Sequence, residues 1–123
     1  MPRLDPINQY EITQIWPPDL SPEAYEANLK EFEEFLQKNG ARIINQEVWG
    51  LRRLAYPIQK RLSGYYVYTE FQAPASFIKA LRRYIQLRPY IMRHLIVKLD
   101  KHAIEYNRRR QEKLKAQQSV SEV

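Results

Sequence analysis

The chain has 123 residues, 20 Lys/Arg against 14 Asp/Glu, a formal net charge of +6 and no cysteine. That length suits one domain plus tails, and the missing cysteines exclude disulfides and thiolate metal sites. No apolar run approaches the roughly 18 to 20 residues that cross a bilayer, and the start, Met1-Pro2-Arg3-Leu4-Asp5-Pro6, lacks the apolar stretch of a secretory signal. A soluble, cytoplasmic protein is expected.

Charge is distributed unevenly. Residues 1–39 hold 3 basic and 8 acidic side chains, residues 40–98 hold 11 and 2, and residues 101–123 hold 6 and 3. A basic middle and tail behind an acidic front suit a polyanionic partner, although a solubilising surface has the same composition.

In chain order, residues 1–8 read as a flexible leader. Tyr10 to Trp16 is rich in aromatic and β-branched residues and predicts a strand, closed by Pro17-Pro18. Ser21-Pro22-Glu23 is a helix start, with a capping hydroxyl, a first-turn proline and a carboxylate at the positive dipole end. Tyr25, Leu29, Phe32 and Leu36 then recur at helical spacing, and Asn39-Gly40 supplies a left-handed stop.

Arg42 to Trp49 predicts a second strand, with Gly50 as a bulge and Leu51 to Ile58 continuing extended. Gln59 to Gly64 reads as a polar turn and Tyr65 to Phe71 as a third strand. Pro74 is expected to open a second helix with Phe77, Ile78, Leu81, Tyr84 and Ile85 on its apolar face and Lys79, Arg82 and Arg83 opposite. Tyr90 to Leu99 predicts the fourth strand.

Strand, helix, strand, strand, helix, strand is the split βαβ order of an α+β, ferredoxin-like fold. The expected result is a four-stranded antiparallel sheet over residues 9–100, with both helices on one face and the other face open. Residues 101–123 form a basic tail around Arg108-Arg109-Arg110. Its Ile104 and Leu114 are too sparse to bury a helix, and Gln117 to Val123 is expected to be disordered.

Signs of catalysis are thin. His94 and His102 fall in different elements with no carboxylate pair beside them. The glycines, Gly40, Gly50 and Gly64, make no phosphate loop. Pro17-Pro18-Asp19 stands where acylphosphatases, which share the fold, need a glycine-rich turn with an arginine. No ligand cluster points to a metal, so neither a cofactor nor a small-molecule substrate is expected. Gly64-Tyr65-Tyr66-Val67-Tyr68 partly matches the aromatic strand of RNA-recognition motifs, which keeps base stacking by Tyr65 and Tyr68 as an alternative.

Gly50-Leu51-Arg52-Arg53-Leu54-Ala55-Tyr56-Pro57-Ile58 sets two guanidiniums among apolar residues, and Lys60 and Arg61 follow at the turn. On a strand Arg52 and Arg53 face opposite ways. Guanidinium suits bidentate phosphate contact; an edge strand guarded by charge is the plainer reading.

This stretch closely resembles the pattern of the bacterial small-subunit ribosomal protein six family: glycine, basic positions, leucine, alanine or serine, tyrosine, any residue, isoleucine. The resemblance runs in register over about residues 9–104, through Tyr10-Glu11, Lys60, Gly64-Tyr65 and Arg93-His94-Leu95-Ile96-Val97-Lys98-Leu99-Asp100. The Asp100-Lys101-His102-Ala103-Ile104 continuation and the Arg-rich tail are similar to Bacteroidetes members. Two departures are present. Arg88-Pro89-Tyr90 stands where members often carry an acid, and the tail is basic where some relatives have an acidic tail modified by glutamate addition.

The resemblance implies a structural, non-enzymatic ribosomal protein that pairs with small-subunit ribosomal protein eighteen and binds the central domain of the small-subunit rRNA at the platform. Arg52, Arg53, Lys60, Arg61 and Arg93 are the expected RNA-facing set, with Arg82, Arg83 and Arg88 secondary. Arg108, Arg109 and Arg110 are the expected tail contacts. Tyr10, Trp49, Tyr56 and Tyr66 are candidates for the protein-partner surface.

Overall fold

The computed structural model of the chain describes residues 6–121, with side chains as far as residue 116. Its elements are β1 (Ile7–Trp16), α1 (Pro22–Lys38), β2 (Arg42–Ile58), β3 (Arg61–Pro74), α2 (Phe77–Gln86), β4 (Arg93–Lys98) and α3 (Lys101–Ser121). The sheet runs β2-β3-β1-β4, and every pairing is antiparallel. This is the ferredoxin-like arrangement expected, with a third helix added.

Local chemistry explains most boundaries. The Ser21 side chain accepts from the Ala24 amide at 3.1 Å and caps α1. Gly40, at φ +84, turns the chain out of that helix. Gly50, at φ +77, sits at the register shift between Val48 and Gly50, so the expected bulge is there.

Several expected boundaries are corrected. The leader gives way to strand at Ile7, whose register partner is Pro74; residues 1–5 lie outside the described residues. The turn is two residues rather than six. Gln59 (φ 52) and Lys60 (φ 65) both adopt left-handed backbone, and Ile58 pairs with Arg61, which is the tight hairpin geometry usually signalled by Asn-Gly. Pro74 ends β3 instead of opening α2, which starts at Phe77. β4 begins at Arg93; Ile91 and Met92 before it are buried, and the Met92 amide donates to the Ile15 carbonyl at 2.8 Å.

Even-numbered β1 residues and odd-numbered β3 residues face α1 and α2. Tyr10, Ile12, Trp16, Val67 and Phe71 pack there against Phe32, Leu36, Phe77, Leu81 and Tyr84 as one core. Burying such aliphatic and aromatic groups is worth about 1.5–3 kcal/mol each.

The other face is not left open. α3 returns across it, anchored by polar contacts to Glu47, Tyr68 and Glu70. The tail, whose apolar residues are too sparse to bury a helix by themselves, is helical from Lys101. The disorder expected from Gln117 is corrected as far as Ser121, and Glu122 and Val123 lie outside the described residues. Among the described residues no helix is long and apolar enough to cross a membrane.

Candidate nucleic-acid interface

β3 meets β1 only from Tyr65 onward. The ends of β2 and β3, Arg52–Ile58 and Arg61–Gly64, therefore extend past β1 as a two-stranded ribbon. Leu54 fixes its root by packing with Ile15 and Met92, flanked by Ile58 and Tyr66. Gly64 is required at this junction. A Cβ there would lie 2.5 Å from Ile15 Cγ2 and 3.1 Å from the Trp16 carbonyl oxygen.

The ribbon carries most of the expected RNA-facing set. Arg52 pairs in register with Gly64 and Arg53 with Ser63, so Arg52 belongs to the α3 side of the sheet and Arg53 to the α1/α2 side. Both are exposed, as is Lys60 at the turn. The Arg52 Nε–H donates to the Trp49 carbonyl at 3.4 Å. Arg61 is half-buried and lies 3.6 Å from Asp19. Arg93 pairs with Ile15, which on its other side pairs with Tyr66, so the fold brings Arg93 to the root of the ribbon.

The aromatic candidates separate. Tyr56 is exposed on the ribbon. Trp49 stacks on Tyr66 (6.2 Å, 22°) and on Tyr68 (5.6 Å, 9°) and stays partly exposed. Tyr10 does not belong to a partner surface. It is 6% exposed and stacks on Phe71 in the core, because residue 10 has core parity.

Base stacking by Tyr65 and Tyr68 has no geometric basis. Tyr65 lies on the helix side against Tyr25. Tyr68 is buried, donates to Glu11 at 2.6 Å and is covered by Trp49; burial first, then the Glu11 bond, raises its pKa. His94 is not a base poised by a carboxylate. Its proton affinity is lowered, by burial first and by the Arg82 charge second.

Sequence reasoning missed the anchoring of α3. Glu47 accepts from Gln111 (3.0 Å), Arg110 (3.2 Å) and the Trp49 indole (3.2 Å). Burial acts to raise the Glu47 pKa, but these three bonds and the Arg110 charge outweigh it and hold the carboxyl below its usual value. Asn107 donates to Glu70 at 3.0 Å. Glu47 and Glu70 are the only acids in residues 40–98, and that isolation was the available signal. In the tail triplet, Arg108 is held by Glu105 and Glu112, Arg109 by Glu105 and Arg110 by Glu47. Arg88 is likewise committed. It bonds Glu31 and lies 3.4 Å over the Tyr84 ring, so the acid that is absent from its own loop comes from α1. Among the described residues no three His, Asp or Glu converge as for a metal.

A ferredoxin-like sheet with a basic ribbon fits several families, and comparison with known proteins decides among them. The family model described as Ribosomal protein S6 matches residues 9–98. The chain belongs to the ribosomal protein S6 family. The small ribosomal subunit protein bS6 of Christiangramia forsetii is 41% identical over 109 residues, covering 89% of this chain and 97% of that protein. The bS6 of Bacteroides thetaiotaomicron is 41% identical over 104 residues, covering 85% and 91%. The crystal structure of 30S ribosomal protein S6 from Thermotoga maritima superposes with a TM-score of 0.75 at 21% identity, covering 87% of this chain and 99% of that one; at that identity it speaks for the fold. Family membership makes this chain a protein of the small ribosomal subunit and not an enzyme. The Bacteroidetes resemblance read from Asp100 onward is matched by these relatives.

Proposed function

We propose that the chain binds the central domain of the small-subunit rRNA at the platform, together with small-subunit ribosomal protein eighteen, in the cytoplasm. Phosphate contacts carry the binding: Arg52, Arg53, Lys60 and Arg61 on the ribbon, with Arg93 at its root. The supporting observation is the ribbon itself, a two-stranded arm whose cations form no ion pair among the described residues except Arg61 with Asp19. Such contacts position a protein without reading sequence. The protein partner is assigned to Trp49, Tyr66 and Tyr56, the exposed or half-buried aromatics next to those cations. In the tail triplet Arg109 is the contact of choice, since its side chain is 75% exposed.

The test is binding of a central-domain rRNA fragment by the chain and protein eighteen across a salt series. The native pair is expected to bind steeply salt-dependently. Replacing Arg52, Arg53 and Lys60 together by Ala should weaken binding at least tenfold and flatten the slope. Equal affinity for an unrelated RNA of the same length would overturn the assignment to the platform.

A further inference from the structure

Between Glu70 and Asp100 the chain has six Lys/Arg and no carboxylate. The fold does not spread them evenly. Lys79, Arg82 and Arg83 stand exposed on α2. In the sheet His94 pairs with Gln14 and Lys98 with Tyr10, and Tyr10 and Gln14 are buried on the helix-covered face. His94 and Lys98 therefore lie on the α2 side of the β4 edge, away from α3. The Arg82 charge acts on the His94 imidazole, so the start of β4 stands close to α2. His94 and Lys98 lie about 13 Å apart along the strand, four residues at its usual rise.

No carboxylate pairs with Lys79, Arg82, Arg83 or Lys98 among the described residues. Glu31, the acid bonded to the nearby Arg88 and Tyr84, is already taken. One member of the patch works against the fold. α2 has no acid in its first turn, and Lys79 is placed there, at the positive end of the helix dipole. A solubilising surface intersperses both signs; here Glu34 of α1 borders only the Arg83 end, and Lys79, Arg82 and Lys98 stand without an ion-paired acid among the described residues.

From this we infer that the α2–β4 edge is a second phosphate-binding surface, taking an RNA backbone through Lys79, Arg82, Arg83 and Lys98 on the side of the sheet opposite α3. The inference rests on the rRNA-binding reading above. RNA fits better than an acidic protein because α2 offers cations without an exposed aromatic anchor among them, whereas protein interfaces centre on such anchors.

The test compares the native chain with the Lys79→Ala, Arg82→Ala, Arg83→Ala triple variant. Both bind the central-domain rRNA fragment in the presence of protein eighteen across a salt series, and both are titrated with protein eighteen alone. All three positions are exposed, so an unchanged melting curve is the folding control. Loss of three phosphate contacts should flatten the slope of log K against log salt by about 2 to 3, with affinity for protein eighteen alone unchanged. An unaltered slope in the triple variant overturns the inference. So does a loss confined to the binding of protein eighteen, which would make the patch a protein contact. Failure of the native chain to bind the RNA fragment would instead strike the rRNA-binding reading itself.

Discussion

On one side of the sheet, Tyr10, Ile12 and Trp16 of β1 and Val67 and Phe71 of β3 meet the apolar stripes of α1 and α2. On the other, Glu47, Tyr68 and Glu70 meet Asn107, Arg110 and Gln111 of α3. Both faces are covered by helix, but the covering forces differ. Apolar burial is indifferent to pH and strengthened by many salts. Glu47 is partly buried and Glu70 buried, and the hydrogen bonds and ion pair that Glu47 makes are pH-dependent. The first face sets global stability. The second sets whether α3 stays down, and with it the setting of Trp49.

The largest effect that would break this contrast lies in the apolar layer. Phe71 is fully buried and touches both Tyr10 and Phe77. Phe71→Ala should lower global stability by about 3–5 kcal/mol, read by urea denaturation. A loss below 1 kcal/mol would mean that the apolar face does not dominate.

An intermediate effect belongs at the ribbon root, where the two faces meet. Gly64→Ala drives a methyl into Ile15 Cγ2 and the Trp16 carbonyl. Neither is the free end of a flexible chain, so the expected cost is about 1–3 kcal/mol. Moderate overpacking is expected in the same denaturation assay, and a neutral or stabilising result would show that the junction has room.

The same contrast explains what was legible in the sequence. The apolar face was readable because periodicity reports burial: Phe32 and Leu36 in α1, and Leu81, Tyr84 and Ile85 in α2, sit where spacing predicts. The ribbon was readable from a nine-residue run. The α3 face was not, since its helix is held by polar side chains paired with acids 37 to 64 residues away, and no local pattern encodes Arg110 meeting Glu47. Ile104 and Leu114 are sparse, and α3 is held to the sheet by polar contacts that their spacing does not report. Tyr10 shows the complementary error, an aromatic assigned by type to a surface when strand parity places it in the core. Gln59-Lys60 lacks the usual tight-turn residues, so the ribbon's length was underestimated at its tip.

The smallest effect on global stability is the sharpest on α3. Among the described residues Glu47 is the one acid that joins α3 to Trp49. The bonds from Gln111, Arg110 and Trp49 hold its carboxyl below the ordinary glutamate range in the folded chain, so the unfolded state takes up the proton first. Its contribution is therefore complete above about pH 4.5 and is lost as pH falls through the lower folded value. Hydrogen exchange should show α3 amides opening more readily over that acid window, while β1 and β3 stay protected. Glu47→Gln keeps an acceptor but removes the charge, so it should leave α3 more open at neutral pH and reduce its response to acid. It should also alter Trp49 fluorescence, because the indole loses a charged acceptor. If α3 in the Glu47→Gln chain remained as protected as in the native one at both pH values, Glu70 and Asn107 would be carrying the helix. Paired measurement of Asn107→Ala separates these contributions, since Asn107 serves Glu70 and Tyr68 and makes no bond to Glu47.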